Sequence, residues 1–174
     1  MSAEQDAIIA RPKPVVETDE AVREFLSFSI STECYALPLS CVREIVRVPA
    51  VTEVPRSPEA VLGIISVRGT VTTVIDLRLK LRIDPPPLGP KSRILIVDGG
   101  GEVMGLLVDA VLQVHRLPEQ DVELASVLGG SAPPYLVGIG RPGSGAQRAG
   151  GRAASAAEAS EMLLLLDPIA LLKT

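Results

Sequence analysis

The stretch GIISVRGTVTTVIDL, residues 63–77, constrains this chain most. Ile64, Ile65, Val67, Val71, Thr72, Thr73, Val74 and Ile75 are all β-branched. A branched Cβ loses rotamer freedom against a helical turn but packs well on a pleated surface, so the run reads as strand. Gly69-Thr70 divides it into two arms, which predicts a tight hairpin.

Other segments repeat the pattern. In FLSFSIS, Leu26, Phe28 and Ile30 alternate with Ser27, Ser29 and Ser31, the signature of a half-buried strand. Order is expected from Glu24, after a polar leader over residues 1–23 that has no clear period. Ser31-Thr32-Glu33 turns the chain into a second strand, Cys34 to Leu37. A short turn follows over Pro38 to Val42, and REIVRV resumes the strand. Pro49, Pro55 and Pro58 mark strand ends or edges, because proline has no donor for a ladder. Ser57-Pro58-Glu59 is read as the cap of one helical turn, with Pro58 in first position. SRILIVD and EVMGLLVD flank Gly99-Gly100-Gly101 as a second hairpin, and AVLQVHRL runs to Pro118. YLVGIG and MLLLLD are the last strands, and DPIALLKT is a short helix opened by Pro168.

Successive prolines make residues 84–91 an extended connector. Residues 141–160 are rich in Gly, Ala and Ser and read as a loop, although Ala153 to Ala159 would suit a frayed helix. Many short strands with glycine turns indicate an all-β barrel arrangement; βαβ units need longer intervening helices.

Composition excludes several functions. The chain has 174 residues and is 47% hydrophobic, mostly Val, Leu and Ile, which suits one domain or two small barrels sharing a core. Aromatic residues make up 2%, and the net charge is −4 without a Lys/Arg stripe. Neither stacking platforms nor phosphate neutralisation are available, so no nucleic-acid partner is expected. The start lacks a secretory pattern, and the longest apolar run, Met162 to Leu166, is far short of the ~20 residues of a spanning helix. A soluble cytoplasmic protein without membrane insertion is expected, with Cys34 and Cys41 as reduced thiols.

No catalytic, metal or cofactor site is expected. His115 is the only histidine and sits in an alternating strand; Cys34 and Cys41 lack CxxC spacing. Gly99-Gly100-Gly101 precedes a strand rather than a helix N-terminus, so a turn fits better than a phosphate loop. Asp76, Asp98, Asp109 and Asp167 each end an apolar run, where carboxylates terminate strands or cap turns. Two of them sharing a proton would suit acid–base work, which leaves a small β-barrel enzyme as the contrasting hypothesis. An ATPase or hydrolase assay separates the two.

Taken in order, FLSFSISTECYALPLSCVREIVRV and VTEVPRSPEAVLGIISVRGTVTTVIDLRLKL closely resemble the CheW family. That family carries a "V-x-E-I" segment, "G-(V/I)-(I/V)-N-L-R-G" and a "D-L-R" ending. RILIVDGGGEVMGLLVDAVLQVHRL, YLVGIG and MLLLLDPIALL are similar to its second half, so the resemblance runs from Glu24 to Leu172 and defines a CheW-like domain over residues 24–174. Ser66 stands where the family often has Asn, and Thr73 where many members have Pro; the hairpin is expected to survive both.

The resemblance implies two small SH3-like five-stranded β-barrels packed on a shared hydrophobic seam, with short helical turns and a C-terminal helix. It implies a non-catalytic scaffold coupling the cytoplasmic tip of a methyl-accepting chemoreceptor to the regulatory domain of a CheA-type histidine kinase. A pathway with a non-motility or pilus-type output, or a domain excised from a larger kinase, would use the same fold. Arg68 is implied in coupling, paired with Glu44 of the "V-x-E-I" segment through its planar fork. Ordinary surface pairing is the alternative, and it contributes little. Val42 and Ile45 flank Glu44 and would form an aliphatic rim for a receptor helix, or plain core. At Gly63 a side chain would block a close backbone approach, or turn geometry alone explains the residue. Val108, Val111 and Val114 lie in the kinase-pairing half and would mark its surface where exposed.

Overall fold

The computed structural model describes residues 21–143 and 162–173. The strands are β1 (Val22–Ile30), β2 (Glu33–Pro38), β3 (Val42–Arg47), β4 (Val61–Val67), β5 (Thr70–Asp76), β6 (Arg93–Asp98), β7 (Val103–Val108), β8 (Ala110–Pro118), β9 (Val122–Leu124), β10 (Leu136–Gly140) and β11 (Leu163–Leu166). Two short helices, α1 (Leu77–Lys80) and α2 (Pro168–Leu172), each start directly after an aspartate that caps them. Asp76 accepts a hydrogen bond from the Arg78 N–H and Asp167 one from the Ile169 N–H, which satisfies a donor left over at each helix start.

The strands make two sheets. One has six strands in the order β8-β1-β2-β11-β10-β9, the other five in the order β3-β6-β7-β5-β4. β2–β11 and β5–β7 are parallel pairs; the rest are antiparallel. The expected two-unit β architecture is present, with six strands rather than five in one unit. In neither sheet are the two outer strands hydrogen-bonded neighbours, so closure into barrels is not seen in the pairing.

Among the described residues the buried apolar side chains fall into three clusters. The largest lies between the sheets, with Phe28, Ile30 and Leu37 from one against Leu95, Val97 and Leu106 from the other, as the expected seam requires. Each sheet also has a core of its own, Phe25, Leu117 and Leu163 in the first and Ile65, Val74 and Ile94 in the second. Successive residues of β6 therefore face different cores, and RILIV is apolar without alternation because both its faces are covered. Each such fully buried side chain contributes about 1.5–3 kcal/mol.

Several local expectations change. β1 starts at Val22, ahead of Glu24, because β8 is long enough to pair Val22 with Pro118. The leader is correspondingly shorter at its end; residues 1–20, and 144–160 of the loop, lie outside the described residues. The two-residue turn of the β4–β5 hairpin is Arg68-Gly69 rather than Gly69-Thr70, with φ of 50° and 82°. Positive φ at both positions matches the right-handed twist of the arms. Ser66 and Thr73 sit within the paired arms, opposite Val71 and Ile64. Ser57-Pro58-Glu59 opens no helix; Ser57 N donates to the Val54 carbonyl at 3.3 Å and Val61 N to that of Pro58 at 2.9 Å, in two turns.

Candidate functional site

Glu44 projects from β3 and Arg68 from the β4–β5 turn, and these belong to opposite edges of the five-stranded sheet. The sheet curls enough for them to meet. Arg68 donates from Nε to both carboxylate oxygens, at 3.3 and 3.1 Å, and from a terminal nitrogen at 3.0 Å. The fork geometry confers direction as well as attraction. The Arg68 side chain is 81% exposed and that of Glu44 30%, so the pair stands at the surface. Its carboxylate partner raises the Arg68 pKa. A recess of about 350 Å³ lies beside it, walled by Arg47, Pro49, Ser66 and Val67.

A second tie closes the same edge. Thr52 and Ile64 exchange backbone hydrogen bonds of 2.9 and 2.8 Å, laying the segment after β3 along β4. Gly63 lies beside this bridge at φ 147°, and an added Cβ would collide with the Thr52 carbonyl oxygen. The close approach considered for Gly63 is therefore present.

The other candidates separate. Ile45 is 44% exposed, whereas Val42 packs half-buried against the seam, so the two do not form one rim. A register shift between Val42 and Glu44 sets both opposite seam residues, Val97 and Leu95, so the two differ in how far they are covered rather than in sheet face. Val108 is fully buried between the sheets and cannot offer a partner surface. Val111 packs on the rim of the seam; Val114 is 47% exposed on β8, beside exposed Leu112. β8 is an outer strand with a bulge opposite Ser27.

The aspartates that end apolar runs all act as acceptors. Asp98 takes the Gly100 and Gly101 N–H groups at 3.0 Å each and pairs with Arg43, and these donors, that of Gly101 foremost, lower its pKa. The glycine donors that a phosphate would need are thereby occupied. Asp76 is bound by Arg78 at 2.9 and 2.7 Å, with both side chains almost wholly buried, and Arg78 reaches Asp109 at 3.4 Å. Asp76 and Asp109 thus meet through a buried arginine. Sequence reasoning did not single out Arg78, although its place two residues after Asp76 in the D-L-R ending was the signal available.

Cys34 and Cys41 form no disulfide, and His115 is buried with Nε2 3.0 Å from the Ser27 hydroxyl. Burial, foremost, pushes the Cys41 thiol up to about 11. Below that pH it stays protonated and unreactive. With iodoacetamide at pH 8, mass mapping should find Cys34 modified and Cys41 at least about tenfold slower until the protein is unfolded. Among the described residues no group of three or more His, Cys, Asp or Glu can hold a metal ion, and no helix is long and apolar enough to cross a membrane.

Two β-sheets on a common seam, with a charged fork on one and an exposed apolar edge on the other, define the class as a two-unit β protein. The comparisons give the family. The CheW-like domain matches residues 24–174. The chain is 33% identical over 107 residues to Chemotaxis protein CheW of Helicobacter pylori, covering 62% of this chain and 65% of that one. It is 31% identical to Protein FrzA of Myxococcus xanthus, over 67% of this chain and 73% of that one. The crystal structure of scaffolding protein TtCheW from Thermoanaerobacter tengcongensis superposes with a TM-score of 0.71 at 27% identity, covering 87% of this chain and 93% of that one. The chain belongs to the CheW family.

Proposed function

We propose that this chain is a chemotaxis coupling adaptor that binds a methyl-accepting chemoreceptor tip and the regulatory domain of a CheA-type histidine kinase together in the cytoplasm. It carries out no chemical step; its output is the influence of one bound partner on the other. The observation that carries this reading is the separation of two kinds of surface: the Arg68–Glu44 fork on one sheet and Leu112 with Val114 on the other. An exposed fork orients a partner and rejects the wrong charge, while burying the apolar edge contributes about 25 cal/mol per Å². The family and the scaffold structure support the same reading. Identity to FrzA comparable with that to the H. pylori CheW supports a second reading in which the adaptor serves another chemosensory pathway.

Titration of the purified chain with a receptor-tip fragment and a kinase regulatory fragment tests this. Arg68→Glu should weaken binding of at least one fragment on the order of tenfold. Val114→Asp should weaken the kinase fragment, and Tm should stay within about 2 °C in both variants. Undiminished binding by both variants, or no binding by the wild type at high micromolar concentration, would refute the proposal.

A further inference from the structure

The chain returns from the five-stranded to the six-stranded sheet through one residue, Asp109, between the end of β7 and the start of β8. Its N–H donates to the Ser29 carbonyl at 3.1 Å, and its Oδ2 accepts from the Ser31 N–H at 2.7 Å, both on the six-stranded side. Its Oδ1 faces Arg78 at 3.4 Å. Arg78 is itself fixed to the five-stranded side, by Asp76 at the end of β5 and by the Pro86 carbonyl of the connector at 2.7 Å. The contact between the sheets is thus longer than those that hold either partner in place.

Strand continuity gives this contact two outlets. β5 runs from Thr70, beside the Arg68 turn, to Asp76. β8 starts immediately after Asp109 and carries Leu112 and Val114. Both candidate surfaces therefore connect along a single strand to the same partly buried charge pair.

We propose that Arg78 and Asp109 are positioning residues that set the placement of one sheet against the other, and so carry the effect of a partner on one surface to the other. This rests on the adaptor reading. The pair touches neither partner; it acts through β5 and β8. Asn at position 109 can still accept from the Ser31 N–H, but it then turns an amide donor toward Arg78 and breaks the link.

The experiment measures affinity for the kinase regulatory fragment with and without saturating receptor-tip fragment, in the wild type and in Asp109→Asn. The wild type should show a ratio of about fivefold or more, within the range of measured couplings. Asp109→Asn should bring that ratio to within about twofold of unity, while each fragment alone binds within about twofold of its wild-type affinity. Residual dipolar couplings should show the relative orientation of the sheets altered or averaged in the variant. If Asp109→Asn does not fold, Arg78→Lys provides the same readout, since it keeps the Asp76 charge pair and shortens the reach to Asp109. A variant that keeps the wild-type ratio and sheet orientation overturns the inference, and so does a wild-type ratio of one. A wild type that binds neither fragment removes the adaptor reading itself, and this inference with it.

Discussion

Arg78→Met is expected to cost about 3–5 kcal/mol of folding stability. In the wild type the guanidinium binds both oxygens of Asp76, with both side chains almost entirely out of water. Hydrogen bonding by Asp76 raises the Arg78 pKa, so the cation persists under all ordinary conditions. Methionine fills comparable space but leaves Asp76 with only the Arg78 backbone N–H, and the Pro86 carbonyl loses its donor. An uncompensated buried carboxylate is the main cost. For a chain of this size the loss corresponds to a Tm decrease of about 6–20 °C, measurable by calorimetry or by denaturant titration. The double variant Asp76→Asn/Arg78→Met should lose less than the sum of the two single changes, because it removes the charge as well as its partner. A single-variant loss below about 1 kcal/mol would show that water reaches Asp76 readily.

Gly63→Ala should be the next most damaging change, at about 2–4 kcal/mol. Two costs combine. A φ of 147° is strained for any residue with a Cβ, and that Cβ would overlap the Thr52 carbonyl and crowd Val51 Cγ1 at 2.8 Å. Relief requires the segment around Thr52 to leave β4, breaking the paired bonds to Ile64. Hydrogen exchange should then accelerate at the Thr52 and Ile64 amides, while amides of the six-stranded sheet stay protected. Unchanged exchange at both amides would show that the bridge tolerates the methyl group.

These two sites differ in how legible they were. Gly63 is a glycine inside a β-branched run, and such a glycine often marks a close backbone approach. Only the fold named Thr52 as the neighbour. Arg78 stood in plain sight within the D-L-R ending, two residues after Asp76, but nothing local shows that the pair is buried. Its second carboxylate acceptor, Asp109, lies 31 residues away. Val108, Val111 and Val114 could not be ranked from sequence for a related reason. β7 is covered on both faces, while β8 is an outer strand with a bulge, and neither fact is encoded in the spacing of valines. α1 went unread because its start depends on the Asp76 side chain displacing the strand pattern after a run of β-branched residues.

By itself the sequence determined what depends on near neighbours: β-branched runs and alternation for strands, glycines for turns, aspartates as caps, and an ordered set of motifs for the family. The tertiary structure alone decided which strands share a sheet, which faces are covered, and that Asp76, Arg78 and Asp109 meet. These depend on pairings such as β2 with β11, between residues far apart in the chain, and no local period records which distant segment will cover a given face.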